Sequence, residues 1–478
     1  MKKFVISKLF LYRYRFHIGY TILGLAFAAL LFVLPIYSMN DLSDAEIASA
    51  TSSYYLAPAS IMDGDLVNLP YRLLQKYSIQ IFGLTPYAIK LPSIIVGLLL
   101  GLLLILLLNR WFKSNVSLLA SCLVVLSTPF LYLAGSGTPL IMLVFWPTLL
   151  LWLGSKIQGE KRPEPLYCFA FALALLLAIF TPYMLYFAIF CVIFALCQPH
   201  LRFVIKKLPK IPLILTALII LSGLTALALN IISRPDVILE LLFAKDFALQ
   251  NFFANIGTGL APVFSWYHTG ENVLLSPLIS LPAFALTLIG LFSTTKGFFA
   301  SRNSIASLLL VFTLIITGFC SDAIIFFILP FSILAAHGLK YLLEKWYGLF
   351  PKNPYARIFA LFPLAILFGF MLLPNLLQYA YGYRYNPNVA NLFNDDLRLI
   401  RQNLTDQTLV VPSDTLDFYR ILEVSTDLTI TDTIPDDTPN LAILGHPEIT
   451  PSKHQLSRII TSPKSDNSDR IYLYIEGE

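Results

Sequence analysis

Eleven apolar runs, most of them near the roughly 20 residues needed to cross a bilayer, recur along the chain and leave it little choice of architecture. They fall near 20–39, 91–108, 116–134, 138–154, 166–180, 183–198, 211–230, 274–293, 304–320, 323–339 and 358–376. Hydrocarbon offers no water to backbone N–H and C=O groups, so spanning segments of this length must be helices. The expected fold class is therefore an all-α polytopic membrane protein with about 11 transmembrane helices. Composition agrees, with 57% hydrophobic and 13% charged residues, against roughly 25% charged in soluble domains. Several runs are short for a full span. The 166–198 stretch, broken only at Thr181-Pro182, reads equally as a re-entrant pair.

Charge tests this topology independently of hydropathy. Lys2, Lys3, Lys8, Arg13 and Arg15 precede the first run, as in a signal peptide. That run is long enough to span and no small-residue cleavage site ends it, so a retained first helix is expected. With the N-terminus cytoplasmic, 20 of the 33 Lys and Arg fall on cytoplasmic segments at every turn of the chain, as the positive-inside rule requires. The 40–90 loop, the 231–273 segment and the tail then lie on the outer face of the cytoplasmic membrane, with the C-terminal domain extracytoplasmic. The five cysteines sit in or beside apolar runs with no CxxC spacing, which reads as small buried hydrophobes rather than a metal site.

The chain divides near Tyr381-Gly382-Tyr383-Arg384. Residues 1–380 form the multi-span region and 381–478 turn polar, with strand-like runs at 408–412, 428–430, 441–444 and 470–475 and helix-like stretches at 390–403 and 415–423. About 95 residues suffice for a small α/β domain. No Gly-rich phosphate loop follows the strands.

Five carboxylates, Asp41, Asp44, Glu46, Asp63 and Asp65, crowd the loop between the first two runs, out of 28 Asp and Glu in the chain. Carboxylates at the mouth of membrane helices are costly to desolvate, so a cluster there is a functional candidate. The plainer alternative is that Asp41, Asp44 and Glu46 cap and solubilise a helix through 45–55, since Ser43 and Asp44 are good N-caps. Asp63-Gly64-Asp65 matches the acid-x-acid pattern of metal-using glycosyltransferases and equally an ordinary turn. No metal is required by the chemistry expected below, although that pair leaves a divalent ion open.

The segment LPYRLLQKYSIQIFGLTPYAIKLPS resembles the pattern PPLYYLL…FG.S..A.RLPS of the C-type membrane glycosyltransferases, in particular the protein O-mannosyltransferase and lipid A aminoarabinose transferase group. Pro70-Tyr71, Leu73-Leu74, Phe82-Gly83, Ala88 and Leu91-Pro92-Ser93 carry the match. Leu69 stands where the family has its first proline, and Gly135-Ser136-Gly137-Thr138-Pro139 stands where relatives often carry charges. The resemblance implies inverting transfer of a glycosyl group from a polyprenyl-phosphate sugar donor to a hydroxyl of a cell-surface acceptor, with the lipid bilayer as the other partner and no required cofactor. In the family an acidic residue after the first span lies at the reaction centre. Here Asp44 and Glu46 match, with Asp41 behind them. Two residues apart on a helix, Asp44 and Glu46 point about 200° apart, so one of them is expected to be the base, with Asp44 favoured. Arg72, Lys76, Lys90, Arg234 and Lys245 are the outer-face cations within reach of a lipid phosphate. Arg72, beside Tyr71, is preferred, although snorkelling explains it as well. Trp266, His268 and Glu271 form a polar-aromatic candidate for a sugar or acceptor, with membrane anchoring the alternative. A lipid-linked-sugar transporter and a non-catalytic scaffold are the competing classes; a transporter calls for ionisable residues within the spans, of which these runs carry almost none. No nucleic-acid-binding pattern appears.

Overall fold

The computed structural model describes residues 10–38, 41–58, 65–159, 165–208, 210–242, 251–264, 277–298, 300–349, 361–386, 389, 392–435, 438, 440–445, 454–462 and 470–476. Helix α1 (Phe10–Ser38) leads into the acidic loop, which holds α2 (Asp44–Tyr54) and α3 (Leu69–Phe82). The chain then enters the bundle as α4 (Pro86–Trp111), α5 (Ser114–Val125), α6 (Thr128–Gly135), α7 (Met142–Gly159), α8 (Pro165–Ala178) and α9 (Met184–Cys197). It continues through α10 (Lys210–Ser233), α11 (Phe252–Phe264), α12 (Leu281–Thr295), α13 (Ser301–Phe319), α14 (Ile328–Leu349) and α15 (Leu361–Leu377).

Each expected apolar run falls on a helix, but the helices are not eleven uniform spans. Among the described residues six are long and apolar enough to cross a membrane, and up to eight if each bent pair counts as one. The pair α5 and α6 bends by 62° around Leu126-Ser127, where Pro129 opens the new helix. The pair formed by α9 and the amphipathic Pro199–Lys207 helix bends by 93°. Hydropathy averages over such breaks, whereas proline ends one hydrogen-bond ladder and starts another. The 231–273 segment also holds structure that its reading as a loop leaves out. It contains an Asp236–Leu242 helix and the apolar α11, whose Phe252 packs against Gly318 at the end of α13.

One large apolar cluster runs through the bundle, from Phe27 and Leu31 on α1 to Tyr379 and Tyr383 beyond α15. The helical run after α15 passes through a π-turn at Gln378–Gly382 and ends at Tyr385. Tyr383 stacks on Tyr132 of α6, with ring centroids 5.0 Å apart. Helices α12 and α14 lie side by side and approach closely because both are bare at the crossing: a Cβ on Gly290 would collide with the Leu334 carbonyl, and one on Gly338 with the Leu286 carbonyl.

The tail builds a five-stranded mixed sheet in the order β2-β1-β3-β5-β4, from β1 (Thr408–Val410), β2 (Thr429–Thr431), β3 (Asn440–Leu444), β4 (His454–Ile460) and β5 (Ile471–Glu476). Strand β4 has no counterpart in the sequence reading. Its residues 455–459 are all exposed, so neither face writes a hydrophobic alternation into the sequence. The apolar layer under the sheet is shared: Leu42, Ala50, Ile79, Leu84 and Ile89 from the first loop and the start of α4 pack with Leu397, Ile400, Phe418, Leu422 and Leu444. A two-bond antiparallel bridge between Leu42 and Asn394 joins the two segments, with N···O distances of 2.9 and 2.7 Å. The acidic loop is therefore clasped between the bundle and the sheet.

Candidate active site in the first loop

Helix α2 starts where its sequence says it should. Ser43 is extended at the N-cap, and its backbone N–H donates to Glu46 Oε2 at 3.0 Å. That is one arm of a capping box. The helical twist then separates the two acids as expected: Asp44 is exposed and Glu46 is 1% exposed.

Glu46 is the centre of a buried polar knot. Its Oε1 accepts from the Gly137 N–H at 2.5 Å, and its Oε2 lies 3.7 Å from Lys90 Nζ. Lys90, 2% exposed on the first turns of α4, also donates to the Asp41 carbonyl at 2.7 Å and sits 5.8 Å over the Phe393 ring. Three separate segments, the loop, α4 and the 135–139 turn, thus meet at the Glu46 carboxylate, the first two through the ion pair and the third through the Gly137 N–H. Gln75 of α3 completes the knot. Its amide donates to the carbonyls of Ile89 (3.1 Å) and Gly137 (2.9 Å), and its oxygen accepts from Ser49 and Ser53 of α2, both at 2.8 Å. Burying these groups is tolerable because each finds a partner. The Tyr71 and Ser93 hydroxyls bond at 2.7 Å. Burial pushes the Tyr71 phenol far above its ordinary value, opposed by the Ser93 hydrogen bond and reinforced by the Glu46 charge. That phenol therefore stays neutral and serves as a wall of the knot.

The other end of α2 is held by a second device. Arg72 grips Asp65 through both terminal nitrogens, at 2.5 and 2.8 Å, and donates to the Ser52 carbonyl at 2.6 Å. Lys76 donates to the Leu56 carbonyl. Asn68, in the left-handed region at φ 55°, turns the chain into α3 just before Pro70.

The structure thus brings Asp41, Glu46, Lys90 and Tyr71 together in one place, and Asp65, Arg72 and Lys76 in another, with Asp44 on the open face of the helix that joins them. Arg234 is exposed at the far end of α10. Asp63, Lys245, Trp266, His268 and Glu271 lie outside the described residues. Gln75 and the 135–139 turn are participants that charge-based reading missed. Gln75 lies in the quoted family segment but carries no charge, and the glycines read as a loss of charged positions. An apolar opening, lined by residues such as Leu123, Leu133, Leu278, Ile324 and Phe331, lies between the bent pair and α14.

Residues 70–225 match the family model described as dolichyl-phosphate-mannose-protein mannosyltransferase. No curated protein matches the sequence. The fold is similar to that of ArnT from Cupriavidus metallidurans bound to undecaprenyl phosphate, with TM-score 0.52 and 13% identity over 95% of this chain and 98% of that one. It is also similar to the oligosaccharyltransferase AglB from Archaeoglobus fulgidus in complex with an inhibitory peptide and a dolichol-phosphate, with TM-score 0.55 and 12% identity. The same archaeal enzyme tethered to an acceptor peptide gives TM-score 0.53 and 13% identity. The alignments cover 88% and 89% of this chain but 64% of the archaeal enzyme.

Proposed function

From the match of residues 70–225 to the dolichyl-phosphate-mannose-protein mannosyltransferase family, we propose that the chain transfers a glycosyl group from a polyprenyl-phosphate sugar to an acceptor hydroxyl. The acceptor oxygen attacks the anomeric carbon, the bond from that carbon to the phosphate oxygen breaks with inversion, and polyprenyl phosphate leaves. A carboxylate takes the acceptor proton. The leaving group is already a stable phosphate anion, so it needs donors or cations rather than a strong acid.

Asp44 is the base in this reading. The observation that carries it is the division of labour on α2. Both Glu46 oxygens are occupied by backbone N–H groups, one of them also facing Lys90, so neither is directed at an acceptor hydroxyl. Asp44 projects from the same rigidly held turn into the open. Glu46 and Lys90 are positioning residues beneath it, Asp41 borders the same turn, and Arg72 with Tyr71 and Lys76 fixes the far end of the helix. The apolar opening beside the bent pair suits an isoprenoid chain. The tail, clasped on the loop, orients the acceptor, and both lie on the outer face of the membrane.

The test is turnover of polyprenyl-phosphate sugars extracted from cells that make the protein, followed by mass spectrometry of released polyprenyl phosphate. Asp44→Asn is expected to cut release by about 10²-fold while donor binding and thermal melting stay parental. Release at the parental rate from Asp44→Asn removes Asp44 from the reaction. No release from the parental protein with any extracted donor removes the transferase reading itself.

A further inference from the structure

At the end of the bundle marked by Lys296, Arg302 and Lys345, α12 and α14 line a groove beyond their Gly290–Gly338 crossing. Its walls are apolar or aromatic, with Leu288, Phe292, Tyr341, Leu342, Trp346 and Leu349 contributing, and Lys345 stands at its lip. Leu288, Phe292 and Leu349 are 50%, 54% and 69% exposed. The Lys296 ammonium lies over both Phe292 (4.6 Å) and Tyr341 (5.4 Å), and Lys345 lies over Tyr341 at 5.8 Å. Two exposed cations therefore converge on the ring of Tyr341, at the mouth of an apolar channel. The neighbouring acid, Glu344, acts electrostatically on Arg302.

We propose that this groove is a binding site for an anionic phospholipid of the adjacent leaflet, with an acyl chain against Leu288, Phe292 and Leu342 and the phosphate between Lys296 and Lys345. Charge complementarity chooses the occupant. A zwitterionic headgroup brings its own cation to a mouth that already holds two, whereas an anionic headgroup neutralises them. The aromatic rings suit the same depth, since their amphipathic edges settle at the headgroup level. The site is remote in sequence from the first loop and uses none of the residues assigned to transfer.

Native mass spectrometry of protein released from nanodiscs with equal phosphatidylglycerol and phosphatidylcholine of identical acyl chains tests this. The parental protein should retain phosphatidylglycerol preferentially. Each basic residue at an anionic surface contributes about fivefold, so Lys296→Gln with Lys345→Gln should weaken retention about 30-fold and abolish the preference, with unchanged melting. Leu288→Trp, which fills the groove, should reduce retention of both lipids. Lys207→Gln, which removes another ring-stacked surface lysine (4.2 Å over Phe203), should leave the preference intact. The site is refuted if the double variant keeps the parental preference, or if Lys207→Gln loses as much.

Discussion

The two ends of α2 are fastened by opposite means. At its start, Glu46, Lys90, Gln75 and Gly137 form a knot in which the side chains are at most 2% exposed and partners come from α3, α4 and the 135–139 turn. Towards its end, Arg72 holds Asp65, whose side chain is 33% exposed, and the partners lie within 20 residues of one another. The first is a long-range lock from which water is excluded, the second a local clamp whose carboxylate, though not its buried guanidinium, meets solvent. Loss of a partner should therefore be felt very differently at the two ends. Desolvated charges gain nothing from water when abandoned, whereas an exposed carboxylate simply rehydrates.

The largest loss is expected when the buried cation is removed. Lys90→Met leaves Glu46 charged and buried opposite an apolar group, and should cost about 3–5 kcal/mol, seen as a large drop in melting temperature in detergent. A melt within a degree or two of the parent would mean that the knot is not a lock. A smaller loss is expected at the backbone side of the same knot. A Cβ on Gly137 would lie 2.7 Å from Ile89 Cγ2 and 3.2 Å from its carbonyl oxygen, so Gly137→Ala should cost about 1–3 kcal/mol by overpacking, with Gly137→Val worse. The smallest effect belongs to the clamp. Asp65→Asn should cost about 1 kcal/mol, because the amide oxygen still accepts from Arg72, which also keeps the Ser52 carbonyl, and the difference from the parent should shrink as salt is raised. Should Asp65→Asn instead destabilise as much as Lys90→Met, the distinction between the two ends fails.

The same comparison explains why the site was only partly readable from sequence. The opposition of Asp44 and Glu46 follows from a spacing of two on a helix, and the capping role of Ser43 from its residue type. The clamp's members, Asp65, Arg72 and Lys76, are close enough in sequence for a loop to bring them together. Lys90 read as an outer-face cation within reach of a phosphate, yet it is buried, because the first turns of α4 bring it against Glu46 and the Asp41 carbonyl. Gln75 and the glycines of 135–139 carry no charge and match no pattern of chemistry. Their importance lies in where two carbonyls and one N–H arrive.

The sequence by itself determined that the chain is a helical membrane protein, where its apolar helices fall, that an acidic loop follows the first of them and that a strand-bearing tail follows the last. Those properties rest on local quantities: hydropathy over a span, the period of a helix, the alternation of a strand half-buried in a sheet. Only the tertiary structure decided which apolar runs break, that the tail's sheet shares its apolar layer with the first loop, and that Glu46 rather than Asp44 is the buried carboxylate. Each of these depends on contacts between segments distant in the chain, such as Leu42 with Asn394 and Glu46 with Gly137. Burial is a property of such contacts: the same carboxylate is a solvated cap or a locked ion-pair partner according to what packs over it.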